Sequence, residues 1–273
     1  MKKVIIAFDG KRFSEAAFDF IRRLNEKQPV LATAVFLPGV DYAELLYSLG
    51  GFSGPLYFES IEAGDTDIVQ VNMQRFKQLC QQNNIDCRIH SELDKHVIAE
   101  LKEESRYADL MVISSELFYK NLGEDKQDEY IERTLHNAEC PVILIPEHYH
   151  FPENTILAYD GSASSVYAIK QFAYLLPEFT GLKTLLVYAG AETKELPGKI
   201  YIEELLNRHF SDLRIIRLEM EPQKYFNSWL EENGNAILVS GAYGRSGLSE
   251  MIKKSFITDV IHDHKLPVFI THR

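Results

Sequence analysis

Three glycines, Gly241, Gly244 and Gly247, stand at three-residue intervals in the stretch GAYGRSGLSEMIKKS (241–255), which closes on Lys253, Lys254 and Ser255. Glycine lacks a Cβ, so backbone N–H groups in such a run can approach an anion closely. A helix opened by Ser255 would add N-terminal amides and a dipole that favour phosphate. The run AILVS (236–240) just before is apolar and strand-like, as is NTILAY (154–159), which ends at Asp160. That carboxylate is placed to accept from a ribose hydroxyl or an adenine amino group. A tight strand exit at Gly241 and Gly244, a helix cap at Ser255 and a turn cap at Asp160 are the plain structural alternatives. Arg245 reads equally as a phosphate partner or as a solvated side chain.

Other chemistries fit the sequence less well. The spacing is Gly-x-x-Gly-x-x-Gly, not the Gly-x-Gly-x-x-Gly of dinucleotide folds, and Leu248 and Lys253 occupy the two glycine positions a Walker loop needs before Lys254-Ser255. The pairs His148/His150 and His262/His264 resemble metal ligands, but neither has a third ligand marked by the sequence. Cys80, Cys87 and Cys140 lack metal-like spacing, and no base is marked to activate any of them.

The elements that must position these residues come as a repeat. KKVIIAFDG near the N-terminus and NTILAYDG from 154 each run from a strand into Asp-Gly and then into a helical pattern, so Asp9 matches Asp160 and Leu24 matches Leu175. The far ends match as well: Ile131/Ile257, His136/His262 and Pro141/Pro267 share an offset of 126. The same order at both ends indicates an internal duplication. Strands are expected near 3–8, 30–36, 86–90, 109–114 and 141–146, then near 155–159, 184–188, 214–218, 236–240 and 267–271. In the second half, helices are expected near 163–176, 199–209, 222–233 and 256–264. Short apolar strands alternating with helices indicate an α/β fold with a parallel sheet covered on both faces. The expected domains are 1–149 and 150–273, with an insertion near 39–65 in the first that reads as a lid, a contact surface or a packed loop.

Composition narrows the function. With 273 residues, 45% hydrophobic and 25% charged, the chain is globular, and its net charge of −11 disfavours a nucleic-acid surface. No apolar stretch reaches the roughly 20 residues of a membrane span. Few cysteines and no leader-like start suit a cytoplasmic location.

Taken together, the chain resembles a tandem universal stress protein. That family's signature is Gly, two residues, Gly, nine residues, then Gly and Ser or Thr; Gly241, Gly244 and Ser255 match it, and GRSGLS (244–249) is typical of it. The resemblance implies two flavodoxin-like (adenine nucleotide alpha hydrolase-like) domains, each a five-stranded parallel sheet with helices on both faces. It implies an adenine nucleotide, ATP or a relative, with or without Mg²⁺, bound in the second half. Asp160 and Tyr188 would lie on its nucleoside side, Gly241, Gly244, Arg245, Lys254 and Ser255 around its phosphates, and Gly161 and Phe256 would be further residues of the same site. It also implies pairing of the domains through their last strands, 141–146 against 267–271, and leaves a homodimer open.

Departures from the family pattern accompany these matches. Lys254 replaces the third glycine, and Tyr188 is bulkier than the small apolar residue usual at the end of the second strand. In the first half, Ser115 and Phe118 stand where Gly241 and Gly244 stand in the second, so Asp9 has no phosphate cradle. Three functions stay open, in this order: a nucleotide-binding regulatory module, a nucleotide-free stress or scaffold protein, and a slow ATP hydrolase.

Overall fold

The computed structural model of the chain describes residues 1–9, 12–37, 63–90, 97–116, 134–189, 196–218, 235–241 and 266–271. The chain divides into two compact units, Met1–Cys140 and Pro141–Arg273. In the first unit the described strands are β1 (Lys2–Asp9), β2 (Val30–Leu37), β3 (Asp86–His90) and β4 (Leu110–Ser114), and the described helices include α1 (Glu15–Lys27), α2 (Ala63–Gln82) and α3 (Val97–Arg106), with a further helical turn at 134–137. Their order across the sheet is β3-β2-β1-β4, and the pairings β1–β2, β1–β4 and β2–β3 are parallel.

Local chemistry explains these elements. α1 begins where Ser14 accepts a hydrogen bond from the Ala17 amide at 3.0 Å, with Glu15 in the first turn and Lys27 in the last. Its buried face carries Ala17, Phe18, Phe20, Ile21 and Leu24, at the spacing of one helical stripe. β4 is buried along all five residues, the signature of a parallel strand covered on both faces. Phe8 stacks between Phe13 and Phe36, with centroids 4.7 and 4.9 Å away, and Phe76 of α2 closes edge-on at 6.1 Å.

The second unit contains β5 (Val142–Ile145), β6 (Asn154–Tyr159), α4 (Ala163–Leu175), a 3₁₀ turn (Pro177–Phe179), β7 (Lys183–Ala189), α5 (Lys199–His209), β8 (Asp212–Leu218), β9 (Ala236–Gly241) and β10 (Val268–Thr271). The order is β5-β10-β9-β6-β7-β8. β10–β9, β9–β6, β6–β7 and β7–β8 are parallel, whereas β5 is antiparallel to β10, in the register Val268↔Leu144 to Ile270↔Val142. That pairing places 142–145 on the second unit's side. The neighbours of the first strand are the same in both units: third-second-first-fourth, counting from β1 and from β6.

The α/β class expected from the alternation of elements is the one observed. Every expected strand is present to within two residues at either end. α4 and α5 fall at the expected places; the helices expected at 222–233 and 256–264 lie outside the described residues, as does most of the 39–65 insertion. Its last three residues, 63–65, belong to the first turn of α2.

Candidate functional site at the carboxyl ends of β6 and β9

In an open parallel sheet a ligand binds outside the carboxyl ends of the strands, where the strand order reverses. In the second unit that point lies between β6 and β9, because the chain leaves β6 for β7 on one side and later returns as β9 on the other. The β6–β9 pairing runs to Leu157↔Val239, so Tyr159-Asp160 and Gly241 leave the sheet side by side. Two of the residues singled out from the sequence therefore come together at the crevice.

Asp160 stands directly after β6. One of its carboxylate oxygens accepts from the Ser162 amide at 3.0 Å, which makes a turn across Gly161. Ser162 then caps α4, its hydroxyl accepting from the Ser165 amide at 3.2 Å. A carboxylate at a helix N-terminus is stabilised by the positive end of the dipole. Asp160 thus does what the plain reading assigned to it, and it does so at the mouth of the crevice. Gly161 has φ +79°, a left-handed conformation that side chains resist, and a Cβ there would stand 2.6 Å from Cβ of Pro197.

Gly241 has a role that its sequence context did not reveal. A Cβ at this position would lie 2.5 Å from the backbone carbon of Ser164, 2.6 Å from its carbonyl oxygen and 2.8 Å from its hydroxyl. The last residue of β9 therefore passes against the first turn of α4 too closely for any side chain. Here glycine is required by helix–strand packing, and the space its missing Cβ leaves is already filled by Ser164. It is not an empty cradle in that direction.

Tyr188, at the end of β7, is only 5% exposed, and its ring lies 6.3 Å from that of Tyr159, its register partner on β6. The Tyr159 hydroxyl donates to the Pro197 carbonyl at 2.6 Å, which fastens the turn before α5 over the end of β6. Burial pushes the Tyr159 phenol above its ordinary pKa, and repulsion from the neighbouring charge of Asp160 adds to the shift. Tyr159 and Pro197 were not picked out as neighbours of the site. The signal available was an aromatic residue just before Asp-Gly, which looks like any core residue. Gly244, Arg245, Lys254, Ser255 and Phe256 lie outside the described residues.

The described residues fit a polar ligand in part. Asp160, the capped start of α4 and the parted ends of β6 and β9 offer an acceptor and a helix N-terminus at one crevice. Nothing described there is arranged as a nucleophile with a base. Among the described residues there is no group of three or more His, Cys, Asp or Glu able to hold a metal ion, and no helix is long and apolar enough to cross a membrane. A cavity of about 130 Å³ lies elsewhere, lined by Asn154, Ile156, Lys183, Leu185, Arg214 and Ile216. It sits toward the amino ends of β6 and β7, the wrong end of a parallel sheet for the crevice rule.

No protein-family model matches the sequence, and no curated protein matches it. Solved structures do match. A universal stress protein from Archaeoglobus fulgidus DSM 4304 superposes with a TM-score of 0.69 at 16% identity, covering 100% of this chain and 96% of that one. A functionally unknown protein from Pseudomonas aeruginosa PAO1 gives 0.58 at 11% identity, covering 100% and 92%. The cytoplasmic domain of a prokaryotic cation chloride cotransporter gives 0.52 at 11% identity, covering 98% and 94%. At these identities the likeness is one of fold: the chain has the α/β fold of universal stress protein structures. The same fold in a transporter's cytoplasmic domain shows that fold alone does not name the activity.

Proposed function

We propose that this chain, which has the fold of universal stress protein structures, is a regulatory module that binds an adenine nucleotide in its second unit. The observation that carries the reading is the meeting of Asp160, the α4 N-terminus and the end of β9 at the reversal point of the strand order. The Gly241-x-x-Gly244 spacing to Ser255 supports it from the sequence. In this reading the Asp160 carboxylate accepts from the nucleoside. The loop from Gly244, with Arg245, Lys254, Ser255 and Phe256, surrounds the phosphates, and Tyr188 backs the base from below. Mg²⁺, where present, neutralises phosphate charge; hydrolysis is at most slow, since no residue is assigned as general base.

The first unit is proposed to lack a site. Ser115 and Phe118 replace the two cradle glycines. At the end of β1 the ring of Phe13 stacks on Phe8 and carries the Arg75 guanidinium over its face at 4.8 Å. Counted from the matching Asp9 and Asp160, Phe13 stands where the second unit has Ser164. The two domains, 1–149 and 150–273 in the sequence repeat, are further proposed to pair through their last strands, a reading supported by the antiparallel β5–β10 ladder. The site lies in a cytoplasmic protein on this account.

A nucleotide-free scaffold is the second reading. It is favoured by the Gly241–Ser164 packing, which gives that glycine a purely structural reason. Mass spectrometry of the denatured, freshly purified protein separates the two. Carried-over adenine nucleotide near one equivalent per chain supports the first reading; its absence, together with no binding on addition of ATP, ADP or AMP, supports the second.

A further inference from the structure

Cys80 and Cys87 belong to one helix–turn–strand unit of the first domain, remote in sequence from every residue of the candidate site. α2 ends in a Schellman turn: the Ile85 amide donates to the Cys80 carbonyl at 2.9 Å, and the Asn84 amide donates to Gln81 at 3.4 Å. Asn84 holds the left-handed position at φ 53°, where asparagine is tolerated better than most residues. Ile85 is buried beneath the turn. The turn is tied down further, since Asn83 donates its side-chain amide to the Leu79 carbonyl at 2.7 Å. Asn25 of α1 also reaches the Asn84 carbonyl, at 3.5 Å. The chain then enters β3, where Cys87 pairs with Ala32 of β2.

This path returns the strand beneath the last turn of the helix: Cys87 shares the sheet face of Ala32, Phe36 and Phe8, Phe76 of α2 packs on that face, and buried Cys80 follows Phe76 by one helical turn. The surroundings of the two thiols differ. Cys80 is fully buried, whereas Cys87 is partly open to solvent. The third cysteine, Cys140, is buried and stands apart on the turn before β5.

We infer that Cys80 and Cys87 form a peroxide-oxidisable dithiol, with Cys87 as the thiol that meets the oxidant and Cys80 as the one that resolves it into a disulfide. In the first step the Cys87 sulfur attacks a peroxide oxygen; the S–O bond forms, the O–O bond breaks, and water or an alcohol leaves. In the second step Cys80 attacks the Cys87 sulfenic sulfur; the S–S bond forms and the S–O bond breaks. The hydroxyl departs as water with the Cys80 proton. Two electrons pass from the sulfur pair to the peroxide, and both thiol protons leave on oxygen. Burial, followed by the neighbouring Cys87, raises the Cys80 thiol well above its ordinary pKa, which makes it a poor first nucleophile. Once the neighbour is sulfenic the attack is intramolecular, and the high effective concentration of the buried thiol offsets its small thiolate fraction. The product fastens the end of α2 to β3, the edge strand in the first unit's order β3-β2-β1-β4.

The test treats the folded, full-length protein with hydrogen peroxide, quenches it, alkylates it in denaturant and maps its peptides by mass. The expected result is a Cys80–Cys87 crosslink, with two of the three thiols lost and Cys140 still alkylated. In Cys87→Ser, Cys80 stays reduced at the same peroxide dose. In Cys80→Ala, Cys87 accumulates as a sulfenic acid that a dione probe traps. The inference is overturned if Cys80 stays reduced in the wild type, if Cys80 oxidises equally in Cys87→Ser, or if the crosslink forms only in the unfolded protein.

Discussion

Replacing Gly241 by alanine decides whether this glycine answers to packing. The added methyl would sit 2.5–2.8 Å from three atoms of Ser164, two of them backbone. Ordinary contact begins near 3.4 Å, so the strand end or the first turn of α4 must retreat by most of an ångström. Neither moves freely. β9 is buried along its whole length, and α4 is fixed at that end by the Ser162 cap and the Asp160 turn. Overpacking of this kind costs about 1–3 kcal/mol. Gly181 provides the control, because a Cβ there meets nothing within 4 Å. Urea unfolding followed by the fluorescence of the chain's one tryptophan, Trp229 of the second unit, reports the right half of the chain. Gly241→Ala should lower the midpoint with an unchanged slope, and Gly181→Ala should leave it in place. If the two variants unfold within about 0.5 kcal/mol of each other, the close approach to Ser164 is not a constraint and the packing argument fails.

Gly161→Ala should destabilise the second unit by about 1–3 kcal/mol, from the φ of +79° and the contact with Pro197; Ser162→Ala should lose about 0.5–2 kcal/mol with the helix cap, both read by the same urea titration. Burial raises the Asp19 carboxyl, but hydrogen bonds from Arg22 and Arg23 outweigh it and hold the group below its ordinary value. A depressed carboxyl contributes stability that is present above the unfolded pKa and lost as pH falls below about 4. Asp19→Asn should therefore flatten the acid side of the first unit's stability curve, and an unchanged acid midpoint would refute this. Burial, then the charge of Asp109, pushes the Cys140 thiol up to about 12, so it should resist alkylation in the folded protein at mildly alkaline pH; rapid labelling there would contradict the assignment. If the Lys254 ammonium reaches phosphate, Lys254→Gly should bind ATP more weakly and with a shallower salt dependence. A variant that gains affinity from an undetectable start would make Lys254 a plug.

Much of the fold was legible because its strands are short, continuous apolar runs bounded by polar residues. LMVIS and AILVS are buried throughout and cannot be mistaken for an amphipathic helix of that length. β8 reads less clearly, since Arg214 and Ile215 are exposed on the last strand of the order, and its start at Asp212 looks like a turn. Helix bounds in the first half were not legible. The buried face of α2, through Val69, Met73, Phe76 and Cys80, begins beside a glycine-rich insertion that hides where the helix starts. The site was legible as a set of residue types but not as geometry. Asp-Gly after a strand announces a turn, yet nothing local shows that Gly241 will meet Ser164, that Pro197 will lie over Gly161, or that Tyr188 will face Tyr159. Those are contacts between segments, set by how the helices cross the strands.

The central claim is a single adenine-nucleotide site in the second unit. Its most direct test is a calorimetric titration of the full chain with ATP, ADP and AMP, repeated on Gly244→Phe and on Asp9→Ala. The account predicts one nucleotide per chain, binding abolished by Gly244→Phe and unchanged by Asp9→Ala. Two nucleotides per chain, or binding that survives Gly244→Phe, would contradict it.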